Sequence, residues 1–411
     1  MQGGSLMRSI IKSTWMAIVF TLVFGLIFSN QAGAKNTSFH YVALGDSLTV
    51  GLEPQQYWDA NAPVFGFVDR VYEQALFYGK TNVKNYGVNG LTSTGLKNIL
   101  VTMDQGSAAA KADIQETLRD PRIDQLLKST NSLKADIVKA DLITITIGGN
   151  DFGARTYIDI RDLNEQEVQI FLDEKISVYQ ENIKETLNVI YRLNPEVTVV
   201  IADQYNPFPR VNQDMYKKLT LLSTQFTKVL EGISAQYKKD GYELILAPVA
   251  KSFINREISY THILRADIHP NQKGYDVMAK VISELLWGVY HEAPPSEKEI
   301  TIYVKGKELV TPFDPVISNG STFVPIREYA ESLGATVAWQ GATQSAVVKL
   351  DQEVITFTVG SDFISVGNER VALNDKVQLI NGKVYVPLRA IAEGLKFDVT
   401  YSKATKRAFI N

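Results

Sequence analysis

Residues 41–49 read Tyr41-Val42-Ala43-Leu44-Gly45-Asp46-Ser47-Leu48-Thr49. An apolar run closed by Gly-Asp-Ser predicts a buried strand. Its carboxyl end would present a serine hydroxyl at the edge where open α/β sheets place their sites. Further strands are predicted at Val83–Tyr86, Leu142–Ile147, Val197–Ala202 and Leu244–Ala247. Four of the five runs are nearly continuous in apolar residues, the pattern of parallel strands covered on both faces. Between the third and fourth, Leu172, Ile176, Tyr179, Ile183, Leu187 and Ile190 recur at three- and four-residue spacing and form one helical stripe. Asn194-Pro195 ends it. Repeated strand–helix–strand units predict a parallel sheet with right-handed crossovers.

Three other stretches carry chemistry. Gly148-Gly149-Asn150-Asp151 follows the third strand, and Asp267-Ile268-His269-Pro270-Asn271 precedes a helical stretch. Asn85-Tyr86-Gly87-Val88-Asn89-Gly90-Leu91-Thr92-Ser93 follows the second strand. A serine hydroxyl is a weak nucleophile until a base takes its proton. The chain offers four histidines, His40, His262, His269 and His291. His40 begins a strand and His291 enters a linker, so both read as incidental, and His262 has no recognisable surroundings.

In this order the blocks resemble the SGNH (GDSL-type) hydrolase family over roughly residues 39–290. The resemblance implies an α/β fold: a flavodoxin-like three-layer α/β/α domain with a parallel five-stranded sheet. It also implies serine ester hydrolysis, of the lipase, acyl-thioesterase, phospholipid-acyl or carbohydrate-deacetylating kind. Ser47 is then the nucleophile and His269 its base. The oxyanion donors are the backbone N–H of Ser47, a glycine N–H and the side-chain amide of Asn150. Gly90 stands where the family's second block has its glycine, with Gly87 as the alternative. The family usually has an aspartate three residues before the histidine. That position is Ala266 here, and Asp267 stands two residues before His269. Two readings stay open. Asp267 reaches the imidazole through a shifted loop, or a backbone carbonyl orients the ring and the enzyme works as a Ser-His dyad. Asp46 is assigned to bonding within its turn. No Gly-x-Ser-x-Gly elbow is present.

The chain has 411 residues, a prior for two or more domains, and 45% hydrophobic residues. A net charge of −3 without a basic cluster argues against nucleic-acid binding. Arg8 and Lys12 precede an apolar run from Trp15 to Phe28, and Ala32-Gly33-Ala34 offers a small-residue cleavage site. Residues 1–34 therefore read as a signal peptide, Lys35 as the mature start, and the protein as secreted or cell-surface. The apolar run is short for a membrane span, which needs about 20 residues. There is no cysteine, hence no disulfide framework, thiolate metal site or cysteine nucleophile. Neither a dinucleotide fingerprint nor a P-loop nor a metal-ligand cluster is found, so no cofactor and no metal are expected.

Residues 35–291 are assigned to the hydrolase domain and 292–298, with Pro294-Pro295, to a linker. Residues 299–411 change character to β-branched runs and turns, a smaller β-rich α+β domain with an internal repeat. Thr322-Phe323-Val324-Pro325-Ile326-Arg327 matches Val384-Tyr385-Val386-Pro387-Leu388-Arg389. Each run leads into a short helix and then a strand, predicted at Thr336–Trp339 and Lys396–Tyr401. Asn319-Gly320 and Asn381-Gly382 read as tight hairpin turns. This region resembles the module named after the amino-terminal domain of copper amine oxidases. It contains no His, Cys or Met, so the name does not import copper. Arg327 and Arg389 read as local fold-fixing residues ahead of binding residues. An ester substrate is expected: an acyl ester, a lipid or an acetylated glycan. Wall polymer is a candidate partner of the carboxyl-terminal domain. The rival readings are a cell-wall O-deacetylase and an inactive surface-attachment protein. Glu53–Val64, with Tyr57, Trp58 and Pro63, is a candidate pocket wall.

Overall fold

The computed structural model describes residues 38–54, 56, 61, 63–152, 156–295 and 297–411. The signal-like segment and the pocket aromatics Tyr57 and Trp58 lie outside the described residues.

Five strands form the first sheet: β1 (Phe39–Gly45), β2 (Thr81–Gly87), β3 (Leu142–Thr146), β4 (Thr198–Ala202) and β5 (Leu244–Ala247). Their order is β2-β1-β3-β4-β5, and every pair is parallel. This is the flavodoxin-like doubly wound order. Its switch point lies between β1 and β3, where a crevice opens at the strands' carboxyl ends. Gly45 pairs with Thr146 at that end.

Side-chain alternation along β1 makes the layers. Val42 and Leu44 join the core under helices α3 (Ser93–Gln105), α4 (Glu165–Leu193) and α5 (Gln213–Lys239). Tyr41 and Ala43 face the opposite core, under α2 (Phe67–Leu76) and α6 (Gln272–Trp287). The predicted stripe on α4 is buried from Leu172 to Ile190, and Asn194 caps the helix end.

Residues 301–410 form three further sheets. The two repeat copies pair with each other: Ser321–Pro325 runs antiparallel to Lys383–Pro387, with Val324 opposite Val386. Both Asn-Gly turns have positive φ at both residues, as a two-residue hairpin requires. The last predicted strand starts later than expected, at Val399 and not Lys396. Residues 396 and 397 are still closing the preceding helix, with Lys396 left-handed and the Phe397 N–H bonded to the Ala392 carbonyl. Arg389 pairs with Glu393 at 2.8 Å, and Arg327 with Glu331 at 3.6 Å, so both arginines have partners on their own helix.

This second region packs on α2. Arg407, 2% exposed, sits 3.3 Å from the buried carboxylate of Glu73 and donates to the carbonyls of His291 and Glu292. The His291 ring stacks on Phe77 at 3.9 Å, and Phe77 meets Phe409 edge-on at 5.1 Å. His291 thus has a structural place in the contact between the two regions.

Candidate active site

At the end of β1 the chain must turn sharply and stay close to β3. Gly45 has φ +141, and a Cβ there would lie 2.0 Å from the Thr146 carbonyl oxygen, so only glycine fits. The turn puts the Asp46 N–H 3.0 Å from that same carbonyl. It also opens a one-turn helix, α1 (Ser47–Val50), which Asp46 caps by accepting from the Leu48 N–H at 3.0 Å. The cap carboxylate also accepts from the Thr146 hydroxyl at 3.3 Å. Asp46 is 2% exposed, and burial pushes its carboxyl up to about 7 despite these bonds and the nearby His269. Ser47 is the first residue of that turn, where backbone N–H groups lack intrahelical acceptors.

His269 comes from the loop between Thr261 and α6. The loop is closed on itself by a bridge between Thr261 and Pro270, by the His262 N–H on the His269 carbonyl at 3.0 Å, and by the Asn271 cap of α6. His269 Nε2 lies 2.8 Å from Ser47 Oγ, across 222 residues of sequence. Its Nδ1 lies 2.9 Å from Asp267 Oδ1, and the same oxygen accepts the His269 backbone N–H at 2.8 Å. Asp267, and not a backbone carbonyl, therefore faces the ring. The left-handed Ala266, φ +57, makes the turn that lets an aspartate two residues away fold back on the imidazole. Burial alone would raise the Asp267 carboxyl, but the imidazole and backbone bonds from His269 hold it below the ordinary carboxylate value. An ionised carboxylate only accepts hydrogen bonds, so Nδ1 carries the ring proton and Nε2 is left to accept from the Ser47 hydroxyl.

The oxyanion candidates lie on the two neighbouring loops. The Asn150 side chain donates to the Leu91 carbonyl at 2.9 Å, which uses one of its two N–H bonds and leaves one to offer. Asp151 beside it accepts from both the backbone and the hydroxyl of Ser93. Gly90 directly precedes Leu91 and has φ +80, its carbonyl held by Gln115 at 2.9 Å. Among the described residues, the N–H of the alternative, Gly87, is engaged by Asn85 Oδ1 at 2.9 Å, and the Gly90 N–H is not engaged. That favours Gly90 as the glycine donor. His40 is bonded through its main chain to Asp141.

His262 differs from the expectation that it has no recognisable surroundings. Its Nε2 lies 3.0 Å from Glu53 Oε1, and Glu53 Oε2 accepts from Gln272 at 3.2 Å. Nothing local in the sequence signals this pair, which joins residues 209 apart.

Residues 43–277 match the sequence model of the GDSL-like Lipase/Acylhydrolase family, more than half of the chain. The chain belongs to that family. It is a carboxylic ester hydrolase. Residues 303–410 match the copper amine oxidase N-terminal domain. That stretch has no imidazole, thiolate or thioether donor, so it does not suit copper. A protease inhibitor from Brevibacillus choshinensis is 32% identical over 104 residues, 25% of this chain and 31% of that protein. The hydrolase thus spans about a third of the length of that curated relative. Among solved structures it is similar to the lipase Lip_vut3 from a goat rumen metagenome (TM-score 0.42, 24% identity, 60% of this chain and 96% of that one). It is also similar to a catalytic mutant of Axe2, an acetylxylan esterase from Geobacillus stearothermophilus (TM-score 0.39, 14% identity, 64% and 100%). A third is an extracellular lipase from Streptomyces rimosus (TM-score 0.40, 17% identity, 60% and 99%).

Proposed function

We propose that this hydrolase is a secreted serine esterase that works through an acyl-enzyme on Ser47. The carrying observation is the continuous hydrogen-bond chain from Asp267 through His269 to Ser47 Oγ. As Ser47 Oγ bonds to the ester carbonyl carbon, its proton moves to His269 Nε2. The carbonyl π pair becomes the oxyanion, which the N–H groups of Ser47 and Gly90 and the Asn150 amide stabilise. Collapse breaks the carbon–oxygen bond to the alcohol, and the imidazolium returns the proton to that leaving oxygen. Water then repeats the sequence on the acyl-enzyme, with His269 taking its proton, and releases the acid and Ser47. Asp267 remains ionised and stabilises the imidazolium.

The basic–apolar–small layout of residues 1–34 supports secretion. Residues 35–291 would be the catalytic unit, and 299–411 a module that holds it near its substrate at the cell surface. The complete Asp–His–Ser chain supports an enzyme over an inactive scaffold. The protein spanning residues 35–411 should cleave short p-nitrophenyl esters and be modified by an organophosphate at Ser47. A folded sample that gives neither turnover nor adduct overturns this reading. Release of acetate from acetylated polysaccharide, measured against an ester series of rising chain length, ranks a glycan deacetylase against a lipase. Amino-terminal sequencing of protein recovered from culture medium should begin at Lys35.

A further inference from the structure

We propose that Glu53 and His262 form a second acid–imidazole pair that holds the catalytic histidine in register with the nucleophile, which makes both positioning residues for ester hydrolysis. The inference rests on the reading of Ser47 and His269 as nucleophile and base.

The contacts form a closed ring. Ser47 Oγ meets His269 Nε2 at 2.8 Å. The His269 carbonyl accepts the His262 N–H at 3.0 Å. The His262 ring meets Glu53 at 3.0 Å. Glu53 follows Leu52, whose N–H returns to the Ser47 carbonyl at 3.2 Å and whose carbonyl accepts from the Tyr275 hydroxyl at 2.7 Å. One side-chain pair therefore joins the turn that carries the nucleophile to the loop that carries the base. The second Glu53 oxygen holds Gln272, the first residue of α6, so the carboxylate grips the histidine loop on both sides. A further tie from this loop to the sheet edge is the Tyr205 hydroxyl on the Ile268 carbonyl at 2.8 Å.

The relative sizes of two effects favour positioning over mere stability. The side chains of His262 and Glu53 are 17% and 23% exposed. A single part-buried hydrogen bond between such side chains contributes only modestly to fold stability. A catalytic group misplaced by about 1 Å can lose about 10²-fold in rate. Removing the pair should therefore cost rate far more than stability.

The test uses Glu53→Ala, His262→Ala, their double variant and Glu53→Gln in the full chain, with Ser47→Ala as control. Glu53→Ala and His262→Ala should lower kcat by roughly 10- to 100-fold, with KM within about twofold and the melting temperature nearly unchanged. Organophosphate trapping at Ser47 should slow in parallel. The double variant should be no slower than the slower single, because both remove one interaction. Glu53→Gln keeps an acceptor oxygen for the His262 N–H and should recover most of the activity. The proposal is overturned if the single variants stay within about threefold of wild type, if their losses multiply, or if the loss follows the melting temperature. Ser47→Ala separates the two levels. If it retains turnover, the serine reading fails and the tether with it. If it is dead while the Glu53 and His262 variants behave as wild type, only the tether fails.

Discussion

Replacing Asp267 tests the triad most directly, because two substitutions separate charge from geometry. Both hydrogen bonds from His269, through Nδ1 and through the backbone N–H, end on the same oxygen, Asp267 Oδ1. In Asp267→Asn the amide oxygen can occupy that place and accept both, so ring orientation and tautomer survive while the negative charge is lost. Two unit charges about 4 Å apart interact by about 4 kcal/mol at an effective dielectric near 20. About 1.4 kcal/mol corresponds to a factor of ten in rate. If the imidazolium loses that stabilisation, kcat should fall by up to about 10³. Asp267→Ala also releases the ring and the loop backbone, so its loss should be greater, about 10⁴. The assay is kcat on a p-nitrophenyl ester near pH 8, with folding of each variant verified by circular dichroism. If both variants stay within about tenfold of wild type, a Ser-His dyad suffices and Asp267 is not a member of a triad.

Three further outcomes are expected. Asn150→Ala should fold normally and lose about 10²–10³ in kcat, as for one oxyanion donor, and a variant within about threefold of wild type would remove Asn150 from that role. Arg407→Ala should destabilise the protein by about 3–5 kcal/mol in urea unfolding, since it leaves the buried Glu73 carboxylate without its cation. A loss below about 1 kcal/mol would mean that the contact between the two regions does not depend on that pair. Asp46, raised by burial to about 7 against 3.8 for an ordinary carboxyl, binds its proton in the folded state over a range where the unfolded chain has released it. Stability from this group is therefore full below about pH 4 and lost as pH rises towards 7. Wild type should resist urea better at pH 5 than at pH 8, and Asp46→Asn, which keeps the helix-cap acceptor, should narrow that difference. An unchanged difference would place the pH dependence elsewhere, for example at Asp69, which burial raises to about 6.

The parallel sheet was legible because burial on both faces leaves a nearly continuous apolar run, as at Leu142–Thr146, where every residue is buried. The long helix was legible because its stripe repeats over five turns. Ser47, Asn150 and His269 could be located because each stands at the end of such an element in a short motif. Asp267 was the ambiguous residue. Its spacing from His269 depends on whether Ala266 adopts a left-handed conformation, and no residue type at that position announces one. Gly87 and Gly90 could not be separated by sequence, because the difference is which N–H a neighbouring asparagine has engaged.

The alternation of strand and helix, the order of the blocks and the absence of thiol chemistry can be read along the chain. These follow from periodicity and residue type, which are local. Folding is what turns Asp267 towards the His269 ring, brings Glu53 to His262 and buries Arg407 against Glu73. Each of these is a contact between side chains brought together by the path of the backbone, some across more than 200 residues. A distance of that kind has no local signature in a sequence.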